Sequence, residues 1–283
     1  MGEADPIPAI AETEATGEVA AIYADLRATL GVPFVNLIWR HLATIPDALP
    51  AIWRLVRPLY LSDELDTRGA DLRAAATVPG VEPLPTALWD CAGLGAEARG
   101  EVGRLIEDYN RANSVNFLAL STASVVLRGD VAAGPARREV AAVLVPRAVP
   151  EAKPLPSLSD LEPAARALVG RLDGLGRLGE SAAIASLYRH LAHWPVFMAV
   201  AYAALRPHHR SGVLQTAQQT LVVEGRGIAS EELIPLLASD SFSLAQEAKA
   251  SALAAVEDFT NLMIGRMTVM GTALRSLLPG QPA

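Results

Sequence analysis

Cysteine is almost missing from this chain, with Cys91 alone among 283 residues. An internal disulfide framework, a thiolate-bound iron–sulfur cluster and a four-cysteine zinc site are therefore excluded. Cys91, between Asp90 and Ala92, reads as a packed small side chain with no base placed beside it. Dense runs of Lys and Arg are missing too, and the formal net charge is -7. That balance argues against a nucleic-acid surface and against binding to an anionic membrane. The longest uncharged run, Ala112 to Leu127, has 16 residues, carries Asn113, Asn116 and several hydroxyls, and falls short of a membrane span. Four Glu/Asp among the first fourteen residues, with no basic-then-apolar pattern, leave the expectation of a cytoplasmic, water-soluble protein. No glycine-rich phosphate loop, Gly-x-Ser-x-Gly elbow, His-Glu-x-x-His or Cys-x-x-Cys occurs.

What the chain does have is a duplication. Arg40-His41-Leu42-Ala43 returns as Arg189-His190-Leu191-Ala192, 149 positions later. Pro46, Arg57-Pro58, Ser62, Leu65, Thr67 and Leu72 recur at the same offset as Pro195, Arg206-Pro207, Ser211, Leu214, Thr216 and Leu221. After a slip of one residue, Ile106-Glu107-Asp108-Tyr109 pairs with Val256-Glu257-Asp258-Phe259. A repeated unit of this kind predicts two similar lobes, in effect a dimer fused into one chain. Apolar residues make up 51% of the sequence and charged ones 19%, enough to give both lobes a packed core.

The spacing of those apolar residues is helical, and no segment sustains an alternation of period two. Val19, Ile22, Tyr23, Leu26 and Leu30 predict a helix over 18–30, ended by Gly31-Val32-Pro33. A short helix follows over 35–44, another starts at Pro46, and Ser62 is set to cap a third with Asp63 and Glu64 in its first turn. Val102, Leu105, Ile106 and Tyr109 mark a helix that leads through a turn-like 110–114 into one over 116–127. Six prolines between 129 and 163 predict an extended crossover, with one short helix near 137–144. The second lobe repeats the order: a helix carrying Leu168, Leu172 and Leu175, a short one at 182–193, one from Pro195, a segment capped by Ser211, and a long last helix from Leu244 broken at Gly265 or Gly271. The expected architecture is all-α, two repeats related by a pseudo-two-fold axis. They span 1–129 and 160–283, with a proline-rich linker over 130–159.

A pocket between two copies needs only one working set of polar groups, so differences between the copies direct attention. Asn36, Asn113 and Asn116 face Ala185, Met263 and Arg266 in the other copy, and Trp39 and Trp53 face Tyr188 and Tyr202. Buried amides and indole N–H groups can donate to an anion or orient a water, though each can also cap a helix or pack in the core. His190 and His193 stand three apart with no third ligand nearby, so no metal is expected. His193, opposite Thr44, is the more asymmetric histidine and a candidate general base, with His190 behind it. Arg40 and Arg189, like Arg57 and Arg206, recur in both copies and read as structural, by capping or by pairing with Asp47, Asp108 or Asp258; one of them could instead hold a substrate carboxylate. Met263, Met267 and Met270 form a helical stripe suited to core or to a deformable pocket wall.

The segments 31–43, 186–195 and Asn113-x-x-Asn116-Phe117-Leu118 resemble the group I 2-haloacid dehalogenases, which act on both D- and L-2-haloacids. The resemblance runs from about Glu18 to Leu278. It implies an all-helical pseudo-dimer that is itself a homodimer, works without cofactor, and holds a small organic acid between its repeats. In that family an aspartate in the second repeat's short helix activates the water that displaces halide. Where the family reads Ser-Asp-aromatic-Arg, this chain reads Ser186-Leu187-Tyr188-Arg189, so Leu187 takes the aspartate's place. By resemblance Asn113 or Asn116 is the family's pocket amide and Ser186 can bind the substrate carboxylate. Because the differing positions cluster in these segments, the expected substrate-binding set is Asn36, Trp39, Asn113, Asn116, Ser186, Leu187, Tyr188 and Arg189, and His193 and His190, near in sequence, are the candidate substitute bases. The alternative is a non-catalytic helical protein that binds a small carboxylate or an apolar ligand in the same place.

Overall fold

Helical apolar spacing becomes helix along nearly the whole chain, and the described residues hold no β-strand. The computed structural model describes residues 7–130, 134–136, 149, 153–179, 183–239 and 242–280. The first half contains α1 (Gly17–Leu30), α2 (Leu37–Leu42), α3 (Ala48–Tyr60), α4 (Asp63–Ala75), α5 (Thr86–Cys91) and α6 (Ala96–Arg128). The second contains α7 (Pro163–Asp173), α8 (Ser186–Leu191), α9 (Pro195–Arg210), α10 (Val213–Ile228), α11 (Gln246–Asp258) and α12 (Gly265–Ser276). No described helix is long and apolar enough to cross a membrane. The short helix expected near 137–144 lies outside the described residues.

The core is organised around α6, which packs against α3, α4, α10, α11 and α12. From Ala112 to Ser124 every residue of α6 is buried, which puts this stretch in the middle of the fold. This corrects the turn expected at 110–114. Asn and Ser at those positions signal local capping, but here their side chains reach other helices: Asn110 meets Thr272 at 3.0 Å and Ser114 accepts from Arg73 at 2.6 Å. The Ser114 hydroxyl also donates to the Arg111 carbonyl at 2.9 Å within α6, and with both side chains satisfied the backbone stays helical.

The last helix also differs from expectation. It does not break at Gly265 or Gly271; it runs from α11 to α12 through a π-turn at Phe259–Ile264. Both glycines instead allow close approach, since a Cβ on Gly271 would lie 2.8 Å from Asn110 Oδ1 and one on Gly265 2.9 Å from Val222. Ser62 caps α4, accepting from Leu65 N–H at 3.3 Å. Its counterpart Ser211 does not cap α10: the N-cap is Gly212, and the Ser211 hydroxyl turns back to the His208 carbonyl at 3.0 Å. Leu175 is buried just past the end of α7. Cys91 is exposed rather than packed, because α5 turns Trp89 into the core.

Two polar anchors fix the parts that matter for the site. Arg57 pairs not with the acids expected but with Asp25, at 2.6 and 3.0 Å, and this two-pronged contact holds the Asp25 carboxyl below its ordinary range. Asp173, fully buried at the end of α7, accepts from Arg266 Nη2 at 3.0 Å, from Arg177 and from the Ala185 N–H at 3.1 Å. One carboxylate thus ties α7, α12 and the residue that precedes α8 together. Removing one partner of such a buried pair typically costs about 3–5 kcal/mol.

Candidate functional site

Two six-residue helices, α2 and α8, point their N-terminal ends at a cavity walled by α6 and by the π-turn after α11. The cavity volume is about 30 Å³, room for roughly two water molecules at ~10–15 Å³ each. The π-turn matters locally because its wider coil delivers Phe259, Met263 and Ile264 to the wall, with Met267 following on α12. Gln218 of α10 holds that turn from behind, donating to the Asn261 carbonyl at 3.1 Å.

The lining falls into pairs at the offsets of the sequence duplication. Asn36 and Ala185, Leu37 and Ser186, and Ile38 and Leu187 are 149 residues apart. Tyr109 and Phe259, and Asn113 and Met263, are 150 apart. In four of these five pairs one member is polar and the other apolar. The exception is Ile38 with Leu187, apolar in both copies.

Hydrogen bonds show what the polar members can offer. Asn36 Nδ2 donates to Asn113 Oδ1 at 3.3 Å, leaving the buried Asn36 Oδ1 without a partner among the described residues. Ser186 Oγ accepts from Arg40 Nη2 at 3.2 Å, and Arg40 Nε is spent on the Val35 carbonyl at 3.2 Å. Arg40 is 7% exposed and makes no ion pair among the described residues; the nearby Glu12 is taken by Arg27 and by the Val35 N–H. A buried guanidinium without an ion-pair partner among the described residues therefore stands directly behind a hydroxyl on the cavity wall. Accepting from a cation polarises that hydroxyl as a donor, and its hydrogen has no acceptor among the described residues.

No carboxylate and no histidine lines the cavity among the described residues. His190 comes nearest, through Tyr109. The Lys153 carbonyl lies 2.9 Å from His190 Nε2, and a carbonyl can only accept, so Nε2 carries the proton. Nδ1 is then the acceptor for the Tyr109 hydroxyl at 2.8 Å. Both nitrogens are committed, and burial pushes the His190 pKa down to about 4. Burial likewise pushes the Tyr109 phenol far above its ordinary range. Near pH 7 this couple is neutral, and neither member is a free base.

The remaining sequence-derived candidates lie elsewhere. Trp39 and Asn116 sit behind the cavity: the Trp39 indole donates to Asn116 Oδ1 at 3.1 Å, Tyr60 donates to the same oxygen at 2.6 Å, and Asn116 Nδ2 is buried without a partner among the described residues. Tyr188 is fully buried in the field of Arg266, Asp173 and Arg177 and does not reach the cavity lining. Arg189 turns outward to the Pro156 carbonyl at 2.8 and 3.0 Å. His193 is exposed and bonded to the Pro154 carbonyl at 2.9 Å. Three side chains of the α8 region, those of Arg189, His190 and His193, thus hold the carbonyls of residues 153–156 instead of facing the cavity. Met263 and Met267 reach the wall, whereas Met270 is core. The sequence reading missed Tyr109 and Phe259, although their difference at offset 150 was visible in it. Nothing in the sequence pointed from Arg40 to Ser186, 146 residues away.

No family model matches the chain. It is 26% identical over 245 residues to a configuration-inverting 2-haloacid dehalogenase of Alcaligenes xylosoxydans xylosoxydans, covering 81% of this chain and 82% of that protein. A second configuration-inverting 2-haloacid dehalogenase, from Pseudomonas sp. (strain 113), is 26% identical over 200 residues, 69% of this chain and 65% of that one. Among solved structures, the complex of a D-2-haloacid dehalogenase mutant with D-2-CPA superposes with a TM-score of 0.75 at 18% identity, covering 97% of both chains. The complex of D-2-haloacid dehalogenase with L-LA gives 0.72 at 18% identity over 96% of this chain and 97% of that one. The chain is thus similar in sequence to 2-haloacid dehalogenases at low identity and shares the fold of the solved ones.

Proposed function

We propose that this chain holds a small 2-substituted carboxylic acid in the cavity between its halves and does not displace the substituent with water. The observation that carries this reading is Arg40, buried without an ion-pair partner among the described residues and donating to Ser186 on the cavity wall. An anion accepting from the Ser186 hydroxyl would be stabilised by that charge in a site of low dielectric. Asn36 and Asn113 can hydrogen-bond it further, and Met263 and Met267 are pliable enough to enlarge a small cavity around a C2 substituent.

The hydrolytic step lacks its base. Leu187 can neither accept a proton nor orient water, and the His190–Tyr109 couple is neutral and fully bonded. The reading takes the molecule as two repeats, 1–129 and 160–283, joined by the linker over 130–159 and related by a pseudo-two-fold axis through the cavity. The repeat-spaced lining pairs and the recurring helix order support it. It also carries the expectation of a homodimer, for which a monomer mass by light scattering would count against it.

Titration calorimetry with (R)- and (S)-2-chloropropionate, with chloride measured in the same samples, tests the function. Saturable binding that Ser186→Ala weakens, without chloride above the blank, is the expected result. Sustained chloride release by the unaltered chain would replace this reading with that of a dehalogenase using another base. Absence of binding by either enantiomer would remove the carboxylate site itself.

A further inference from the structure

Away from that cavity, a cleft of about 570 Å³ opens between the first turns of α6, Thr86 of α5 and the segment following α12. Its volume falls within the roughly 300–1,000 Å³ typical of small-molecule sites. The far wall is pinned by the Leu84 N–H, which donates to the Leu277 carbonyl at 3.0 Å. Gly100 and Gly103 line it from α6 without side chains of their own, and Leu278 and Pro279 supply apolar surface.

The charged lining is Arg99, Arg104 and Arg275 against the single acid Glu107. This positive excess stands on a chain whose formal net charge is -7. Most of the guanidinium donors are uncommitted among the described residues. Arg99 spends only Nη1, on Asp90 Oδ1 at 2.5 Å and the Leu94 carbonyl at 2.6 Å. Arg275 spends only Nε, on Glu107 at 2.6 Å. Arg104 makes no hydrogen bond or ion pair among the described residues; Glu101, one of the acids near it, is bonded to Lys153 at 3.0 Å. Planar N–H pairs left open on three guanidiniums around one space match the oxygens of a carboxylate or phosphate.

We infer that this cleft binds a small organic anion with a phosphate or carboxylate group on an apolar body. It shares no residue with the cavity beside Leu187, so it stands or falls separately from the function proposed above. Calorimetry on the full chain at low ionic strength would use phenyl phosphate, benzoate and neutral benzyl alcohol as probes. One or both anions should bind with a dissociation constant below about 1 mM, the tighter one identifying the preferred group, while the alcohol does not. Arg104→Gln and Arg275→Gln should each weaken that binding roughly tenfold, and Ser186→Ala should leave it unchanged. Arg104 is exposed and makes no ion pair among the described residues, so its variant is expected to keep the parent's circular dichroism. The inference is overturned if neither anion binds, if the alcohol binds equally well, if Arg104→Gln binds like the parent, or if Ser186→Ala abolishes binding.

Discussion

Leu187 shares the cavity wall with Asn113 and Ser186, which makes it the residue through which the site's chemistry can be altered with least disturbance elsewhere. Leu187→Asp would place a carboxyl beside a hydroxyl backed by Arg40, in a wall that also carries the apolar side chains of Ile38, Met263 and Met267. Burial there raises the carboxyl's pKa, so part of it stays protonated near neutral pH, and the variant loses stability. General-base catalysis is worth ~10²–10⁴-fold, so chloride release from 2-chloropropionate should rise clearly above the parent's as pH increases. A folded variant that binds the acid but releases no chloride at any pH would show that the rest of the site is not arranged for displacement. At this scale the sequence was informative where the two copies disagree: Asn36 against Ala185 and Asn113 against Met263 are visible in the offset alone, and all four line the cavity. It was uninformative about Trp39, Tyr188 and Arg189, because repeat position does not say which face of a short helix meets the cavity.

Helix packing against α6 sets the dimensions of everything around it, and glycines permit the tightest crossings. A Cβ on Gly225 of α10 would stand 2.4 Å from Phe117 Cε1, against a buried ring that has little freedom to move. Gly227, two residues on in the same helix, would meet nothing within 4 Å. Alanine favours a helix interior over glycine by roughly 1 kcal/mol, so at Gly227 substitution should stabilise by about 0.5–1 kcal/mol. At Gly225 overpacking, typically ~1–3 kcal/mol, outweighs that gain, and a net loss is expected. Urea denaturation of Gly225→Ala and Gly227→Ala should therefore shift midpoints in opposite directions; a shift of the same sign in both would mean that α10 does not approach α6 so closely. Helix existence was legible in the apolar spacing, as with α1, α3 and α9, because burial on one side leaves a periodic trace. The continuous α6 was not legible, because Asn110 and Ser114 each take a side-chain partner far off in the chain, 162 and 41 residues away. The π-turn at Phe259–Ile264 left no trace either, since it depends on carbonyls met by Gln218 of another helix.

His190 links α8 to α6 through Tyr109 and to the crossover through the Lys153 carbonyl, so its protonation is felt by the molecule as a whole. Its folded-state pKa of about 4 lies below the ordinary value of 6.5 because the charged form is excluded by burial. Between those values the unfolded chain binds a proton that the folded chain refuses, and stability must rise with pH across that window. The contribution is complete above about pH 6.5 and is lost as the pH falls toward 4, amounting to about 3 kcal/mol in all. Asp25 behaves differently: its carboxyl is held low mainly by Arg57, so its contribution persists until the more acidic range where an unfolded aspartate begins to protonate. The two effects therefore separate along the pH axis. Unfolding free energies measured by urea at pH 4.5, 5.5, 6.5 and 7.5 should fall steadily below 6.5 in the parent chain. His190→Gln, which keeps a side-chain donor for the Lys153 carbonyl but cannot titrate, should start less stable at pH 7.5 and lose less on acidification. Equal slopes for the two proteins would show that His190 is free to take up a proton in the folded state, and that the bond to Tyr109 does not hold its ring neutral.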